Sequence, residues 1–233
     1  MKIDILTLFP KMFDYVLEES IIKRARKSGH VGIEVYNLRD WTHDRHRSVD
    51  DKPFGGGAGM VLKPEPIFEA VTSLRGAPKA RRSNLGRNAT RVVLLTPQGK
   101  KLNQRTAKRL SKYNHLILIC GHYEGVDERV RKYLVTDEIS IGDFILTCGE
   151  LPAMVLLDSI VRLKPNVLGH KDSAKFESFE NGLLEYPQYT RPAEYNGLKV
   201  PKILLSGNHK NISEWRKRES FKRTKQRRPD LIQ

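Results

Sequence analysis

At 233 residues, 39% of them hydrophobic and 30% charged, the chain has the length and balance of one or two folded domains. It holds no apolar run near the roughly 18–20 residues of a membrane helix, and its only cysteines, Cys120 and Cys148, rule out a disulfide framework. A net charge of +15 favours a polyanionic partner, most naturally a nucleic acid.

The charge is unevenly spread. Arg75 to Lys112 carries twelve Lys/Arg and no Asp/Glu, and Lys202 to Arg228 carries ten basic residues against two acidic ones. Solubility alone does not ask for blocks this one-sided. The two cysteines fit a reducing, cytoplasmic setting, and no Cys/His spacing suggests structural zinc. The first residues could pass for a short signal peptide, but Asp4 interrupts them and no small-residue cleavage site follows. A first strand is the better reading.

In chain order, residues 2–9 read as a strand ending at Phe9-Pro10. Met12 to Arg26 has the apolar spacing of a helix, with Gly29 as its cap. Val31 to Leu38 alternates as a strand does. Pro66 to Leu74 is a proline-opened helix, and 74–91 reads as a mobile basic loop. Arg91 to Leu95 is a buried strand. Asn103 caps a basic helix reaching Tyr113. Leu116 to Ile119 is a short buried strand, Val126 to Leu134 a helix, and Leu151 to Leu163 an apolar helix. This alternation predicts an α/β fold with a mainly parallel sheet and ligands at the strand C-terminal ends.

Pro165 to Asn181 breaks the pattern and reads as a linker or lid. Beyond it come Leu183 to Arg191, Leu198 to Leu205, and a basic helix predicted to start near Asn211 with Glu214 in capping-box position. The predicted division is therefore 1–162 as an α/β domain, 163–180 as a linker and 181–233 as a small basic helical domain.

Three apolar strands run straight into glycine loops. These are Leu95-Thr96-Pro97-Gln98-Gly99, Ile119-Cys120-Gly121-His122-Tyr123-Glu124-Gly125 and Ser140-Ile141-Gly142-Asp143-Phe144-Ile145-Leu146-Thr147-Cys148-Gly149-Glu150. Glycine weakens a strand and often marks close approach of a ligand or another backbone. If the three converge, they make a pocket for a small polar ligand. Asp50-Asp51-Lys52-Pro53-Phe54-Gly55-Gly56-Gly57-Ala58-Gly59-Met60 is a further glycine loop, and its pattern is neither a P-loop nor a dinucleotide fingerprint. His43 and His46 have a metal-like spacing but lack an evident third ligand. Contact with phosphate or base suits that basic, aromatic stretch better. By themselves Asp172 and Glu177 read as solvated linker acids and Arg162 as a helix C-terminal cation.

Taken together, the 50–60 loop, Thr96-Pro97-Gln98-Gly99, Cys120 to Gly125, Ile141 to Leu146 and Tyr189-Thr190-Arg191-Pro192 resemble the bacterial tRNA guanine-N1 methyltransferases of the TrmD type. The resemblance spans nearly the whole chain. It implies a trefoil-knotted α/β fold of the SPOUT class, a knot that composition does not reveal. It implies a homodimer with active sites at the subunit interface and S-adenosylmethionine as methyl donor. It also implies tRNA as substrate, methylated on N1 of the guanosine just 3′ of the anticodon.

By motif match, donor contacts come from Thr96, Pro97, Gln98 and Gly99, from Gly121, Tyr123, Glu124 and Gly125, and from Ser140, Ile141, Gly142, Asp143, Phe144, Ile145, Leu146, Cys148 and Gly149. Arg24, His46, Asp50, Pro53 and Gly59 hold the flipped guanosine and its neighbours. Glu177 stands at the position of the family's general base, an aspartate in the linker that serves the partner's site. Arg162 matches the catalytic arginine. The chain departs from the family pattern in three places. Glu177 is one methylene longer than the expected Asp, Cys148 replaces an expected glycine, and His122 sits where a basic residue is common. Asp172 is the alternative base. The resemblance further implies a divalent ion such as magnesium, for which the sequence offers no dedicated site. Two other readings stay open at this stage: a knotted ribose 2′-O-methyltransferase using the same donor pocket, and a tRNA-binding paralogue without catalysis.

Overall fold

The computed structural model describes residues 1–76, 90–169 and 177–232. The chain divides into two compact units, Met1–Gly169 and His170–Gln233. Asp172 lies outside the described residues, as does most of the basic loop read at 74–91.

The first unit is built on a five-stranded parallel sheet in the order β2-β1-β6-β5-β7. Its strands are β1 (Lys2–Thr7), β2 (Gly32–Asn37), β5 (Thr90–Lys101), β6 (His115–Cys120) and β7 (Asp137–Ser140). A small antiparallel hairpin, β3 (Asp50–Asp51) and β4 (Val61–Leu62), lies between β2 and β5 in the chain. The helices are α1 (Asp14–Glu18), α2 (Ser20–Lys27), α3 (Pro64–Arg75), α4 (Gln104–Leu110), α5 (Glu128–Tyr133) and α6 (Glu150–Val161).

Central strands covered on both faces must be apolar on both sides, which is why β5 and β6 read as continuous apolar runs rather than alternating ones. Successive side chains feed two cores. Val93, Leu95, Leu116 and Leu118 pack with α1, α2, α4 and α6. Val92, Leu94, Ile117 and Ile119 pack with α3 and α5 on the other face. Asn103 caps α4 as expected, its Oδ1 accepting from the Thr106 N–H at 2.9 Å.

Two helix expectations are corrected. Met12 to Arg26 is not one helix. Glu19 is extended and Ser20 has φ +52°, so α1 and α2 are separate. The break lets Leu17 and Ile22 both reach the core, and the Arg26 guanidinium donates to the carbonyl of Leu17 at 2.9 Å. The final helix, α7 (His209–Arg227), starts earlier than Asn211. Its cap is Asn208, whose Oδ1 accepts from the Asn211 N–H at 3.1 Å, so Asn211 is the capped residue and Glu214 falls within the helix.

The second unit contains that helix and a short hairpin, β8 (Glu194–Tyr195) with β9 (Leu198–Lys199). Asn196-Gly197 forms the turn, both at positive φ. That dipeptide is a strong hairpin signal which the reading of 198–205 passed over. Among the described residues of this unit only Thr224 is buried. Its hydroxyl donates to Ser220 O at 2.7 Å and accepts from the Leu184 N–H at 2.8 Å, tying α7 to the incoming chain.

Candidate functional site

The three glycine loops do converge. The first falls inside β5, where the pairing with β7 shifts register between Leu95 and Lys100 and residues 96–99 leave the ladder, rather than after the strand as the sequence suggested. The second follows the C-terminal end of β6, and the segment after β7 folds back onto it. Gly149 N–H donates to Gly121 O at 2.7 Å, His122 bridges Cys148, and Leu102 N–H donates to Ser140 O at 2.8 Å. Glycine is required at these crossings for space. A Cβ on Gly99 would stand 2.4 Å from the Ile139 nitrogen, and one on Gly149 would stand 2.5 Å from that of Gly121.

The loops enclose a cavity of about 380 Å³. Its lining takes Thr96, Pro97 and Gln98 from the first loop and residues 121–126 from the second. From the third it takes Ser140, Ile141, Gly142 and residues 144–149. Gly99 and Asp143 lie outside this lining. Gly99 is pressed against backbone, and the exposed Asp143 forms an ion pair with Lys101. Phe144 and Ile145 are 53% and 80% exposed, so the third loop presents apolar side chains that this chain does not cover.

Arg131, unremarked in the sequence, also lines the cavity. Its guanidinium donates to the Gln98 side chain and to Glu138, joining the first loop to the strand that feeds the third. A cation three residues after Glu128 on a short helix looks like ordinary surface charge, and its role depends on a long-range approach.

The 50–60 loop joins the same site. Beyond its turn, β4 pairs with the second loop: Glu124 N–H donates to Met60 O at 3.0 Å, and Leu62 N–H donates to Gly125 O at 2.9 Å. Gly55, Gly56, Gly57 and Gly59 all have positive φ. At Gly59 a Cβ would also lie 2.4 Å from the Glu124 carboxylate. Gly59 therefore lies against Glu124 of the cavity wall, Asp50 is paired with Leu62 beside Gly125, and Pro53 lies in the turn that joins β3 to β4. His46 is exposed in the preceding turn, where the Asp44 carboxylate accepts from the Ser48 N–H at 3.0 Å. His43 pairs with Glu69 at 2.8 Å. Among the described residues no group of three or more His, Cys, Asp or Glu could hold a metal ion. Arg24 is exposed on α2, which packs on the opposite face of the sheet from β4.

Cys148 sits in the cavity wall. Burial first, and then the neighbouring Glu150 carboxylate, raise its thiol above the ordinary value. Glu150 is fully buried and accepts a hydrogen bond from the Thr7 hydroxyl, while its second oxygen has no partner. The His122 ring lies tilted against Phe9, with centroids 5.2 Å apart, and edge-on to Tyr123, at 4.5 Å. The two catalytic candidates fall in different units. Arg162 ends α6 in the first, and Glu177 lies in a turn of the second.

Fold and site define a class: a parallel α/β protein whose ligand cavity is made by three crossing loops at the strand C-terminal ends. The tRNA (Guanine-1)-methyltransferase TrmD family matches the chain over residues 1–233, and the chain belongs to that family. It is 58% identical over 233 residues to the tRNA (guanine-N(1)-)-methyltransferase of Geobacillus kaustophilus, covering 100% of this chain and 91% of that protein. It is 56% identical to proteins of the same name from Bacillus subtilis and Dictyoglomus turgidum, covering all of this chain and 92% and 90% of theirs.

Proposed function

We propose that the protein transfers a methyl group from S-adenosylmethionine to N1 of a tRNA guanosine, the one just 3′ of the anticodon. The observation that carries this reading is the convergence of the three loops on one cavity. Its fit to the donor is steric and chemical. Glycines at 121 and 142 leave backbone amides and carbonyls accessible to an adenine, and Ile141, Phe144 and Leu146 offer apolar cover. Bound there, S-adenosylmethionine supplies an electrophilic methyl group. The three loop crossings also fit the knot expected of this family.

The chain's own residues supply the rest. Guanine N1 is a poor nucleophile until its proton leaves, so a carboxylate must take that proton as the methyl moves. Glu177 is assigned that role, delivered to the site of a second copy of the chain. Arg162 holds the negative charge that develops on guanine O6. The hairpin residues Asp50, Pro53 and Gly59 grip the extruded base, with His46 and Arg24 on flanking RNA. A base in a single-stranded loop is the least costly to extrude. The second unit, with its basic α7, grips the tRNA body.

The test is transfer from labelled donor to tRNA carrying G or A at the target position, followed by location of the product. Methyl on guanine N1, with G but not A, is the expected result. Methyl on a ribose hydroxyl, or tRNA binding without transfer, would overturn it. Glu177→Ala should slow single-turnover transfer by roughly a hundredfold or more. Full rate in that variant would move the base assignment to Asp172.

A further inference from the structure

The Tyr189-Thr190-Arg191-Pro192 motif has no part in the reaction above, yet its Tyr189, Thr190 and Arg191 line a second cavity of about 390 Å³ in the second unit. One wall is a stacked pair, the Arg216 guanidinium lying 4.8 Å from the centroid of the Tyr186 ring. The floor is apolar, from Val200, Leu204 and Ile212. Gln188, Tyr189 and Arg191 stand exposed at the rim, Tyr189 at 50%. The described lining carries two guanidinium groups and no carboxylate.

Flat aromatic and guanidinium surfaces over an apolar floor, with cations at the mouth, match a single unstacked nucleobase and its phosphate. A free anion makes no use of the floor and the rings. An aliphatic side chain makes no use of the arginines. The surroundings complement RNA, because α7 also carries Lys217, Arg218, Lys222 and Arg223. A stacked arginine keeps its edge N–H groups directed outward for phosphate.

We propose that this cavity captures one unstacked base of the tRNA, distinct from the reacting guanosine, with Tyr189 and Arg216 as stacking planes and Arg191 on its phosphate. The proposal rests on the tRNA reading above. It gives the second unit a defined nucleotide to hold, beyond general attraction to the backbone.

The experiment measures tRNA affinity of the full-length protein across a salt series, with sedimentation and thermal unfolding in parallel. Tyr189→Ala should weaken tRNA binding roughly five- to hundredfold at unchanged salt slope, and Tyr189→Phe should restore it. Arg191→Gln should reduce the salt slope by about one. In turnover, Tyr189→Ala should raise KM for tRNA and leave kcat at saturation in place. Wild-type affinity in Tyr189→Ala overturns the proposal while leaving tRNA binding intact. Dissociation of a dimer by that variant also overturns it, because the cavity then serves a protein contact. A wild-type chain that binds no tRNA overturns the underlying reading, and this one with it.

Discussion

A Cβ at Gly149 would stand 2.8 Å from the Cα of Cys120 as well as against the Gly121 nitrogen, and neither backbone atom can rotate away. Gly149→Ala therefore forces two chain segments apart. It should cost about 2 kcal/mol and shift the neighbouring cavity wall, seen as a lower Tm and weaker donor binding by calorimetry. Gly59→Ala acts differently. Its Cβ meets the flexible Glu124 side chain, but φ +84° resists any Cβ, so a loss of about 1 kcal/mol is expected with the hairpin displaced. Cys148 has its thiol pKa raised, so the neutral thiol persists through neutral pH. Iodoacetamide should react with it slowly at pH 7–8 and faster only at more alkaline pH, and saturating S-adenosylmethionine should protect it. Rapid labelling at pH 7 would show that the thiol is not held in this way.

Among the elements, β5, β7 and α4 are joined by one carboxylate. Asp137 on β7 accepts from Arg91 of β5 at 2.8 Å and from Arg109 of α4 at 2.7 Å. Burial alone would raise its pKa. The Arg109 hydrogen bond, the Thr136 hydroxyl and the Arg91 charge outweigh burial and hold it below the ordinary carboxylate value. A depressed folded-state pKa stabilises the protein above the unfolded value and loses that contribution as pH falls through the folded one. Asp137→Asn should therefore destabilise at pH 7 by about 3 kcal/mol. Acidification below about pH 4 should narrow its deficit relative to wild type, because the wild type loses the same interaction there. Urea titrations at pH 7 and pH 3 test this, and a deficit that stays constant would remove the carboxylate charge as the cause. Because β7 leads into the third loop, the same ion cluster also sets where that loop begins.

For the molecule as a whole, apolar side chains crowd one region of the first unit. Leu151 and Val155 of α6 are 46% and 48% exposed, beside a 3-10 turn at Pro10–Phe13 that presents Met12. An exposed patch of this kind marks an interaction surface. A second copy of the chain is the occupant that the proposed mechanism needs, since Glu177 is assigned to a partner's site. Sedimentation should give a dimer, and Val155→Glu should yield monomers without methyl transfer. A wild-type monomer with full activity would sink the shared-site mechanism. Phosphate contacts from the basic surfaces should make tRNA affinity fall steeply with salt.

Legibility followed range. The buried runs of β5 and β6 and the Asn103 cap rest on local chemistry and stand where sequence patterns put them, and α3 is proline-opened as expected but from Pro64 rather than Pro66. The split of α1 from α2 is not legible, because it depends on Leu17 and Ile22 both reaching the core. The start of α7, by contrast, is local chemistry: Asn208 and Asn211 are both of the residue type that caps, and only the structure shows which one does so. Arg131 was missed for the same reason as the split. Its partners, Gln98 and Glu138, are set by strand order rather than by spacing.

By itself the sequence determined the parallel α/β class, the glycine loops and the family, because apolar periodicity, turn residues and motif order are written locally along the chain. Only the tertiary structure decided that three separate loops enclose one cavity, that the 50–60 hairpin is paired to the second of them, and that Gly99 and Gly149 are glycine for lack of space. Those facts depend on strands β5, β6 and β7 lying side by side, an arrangement set by the packing of two cores and encoded at no single position.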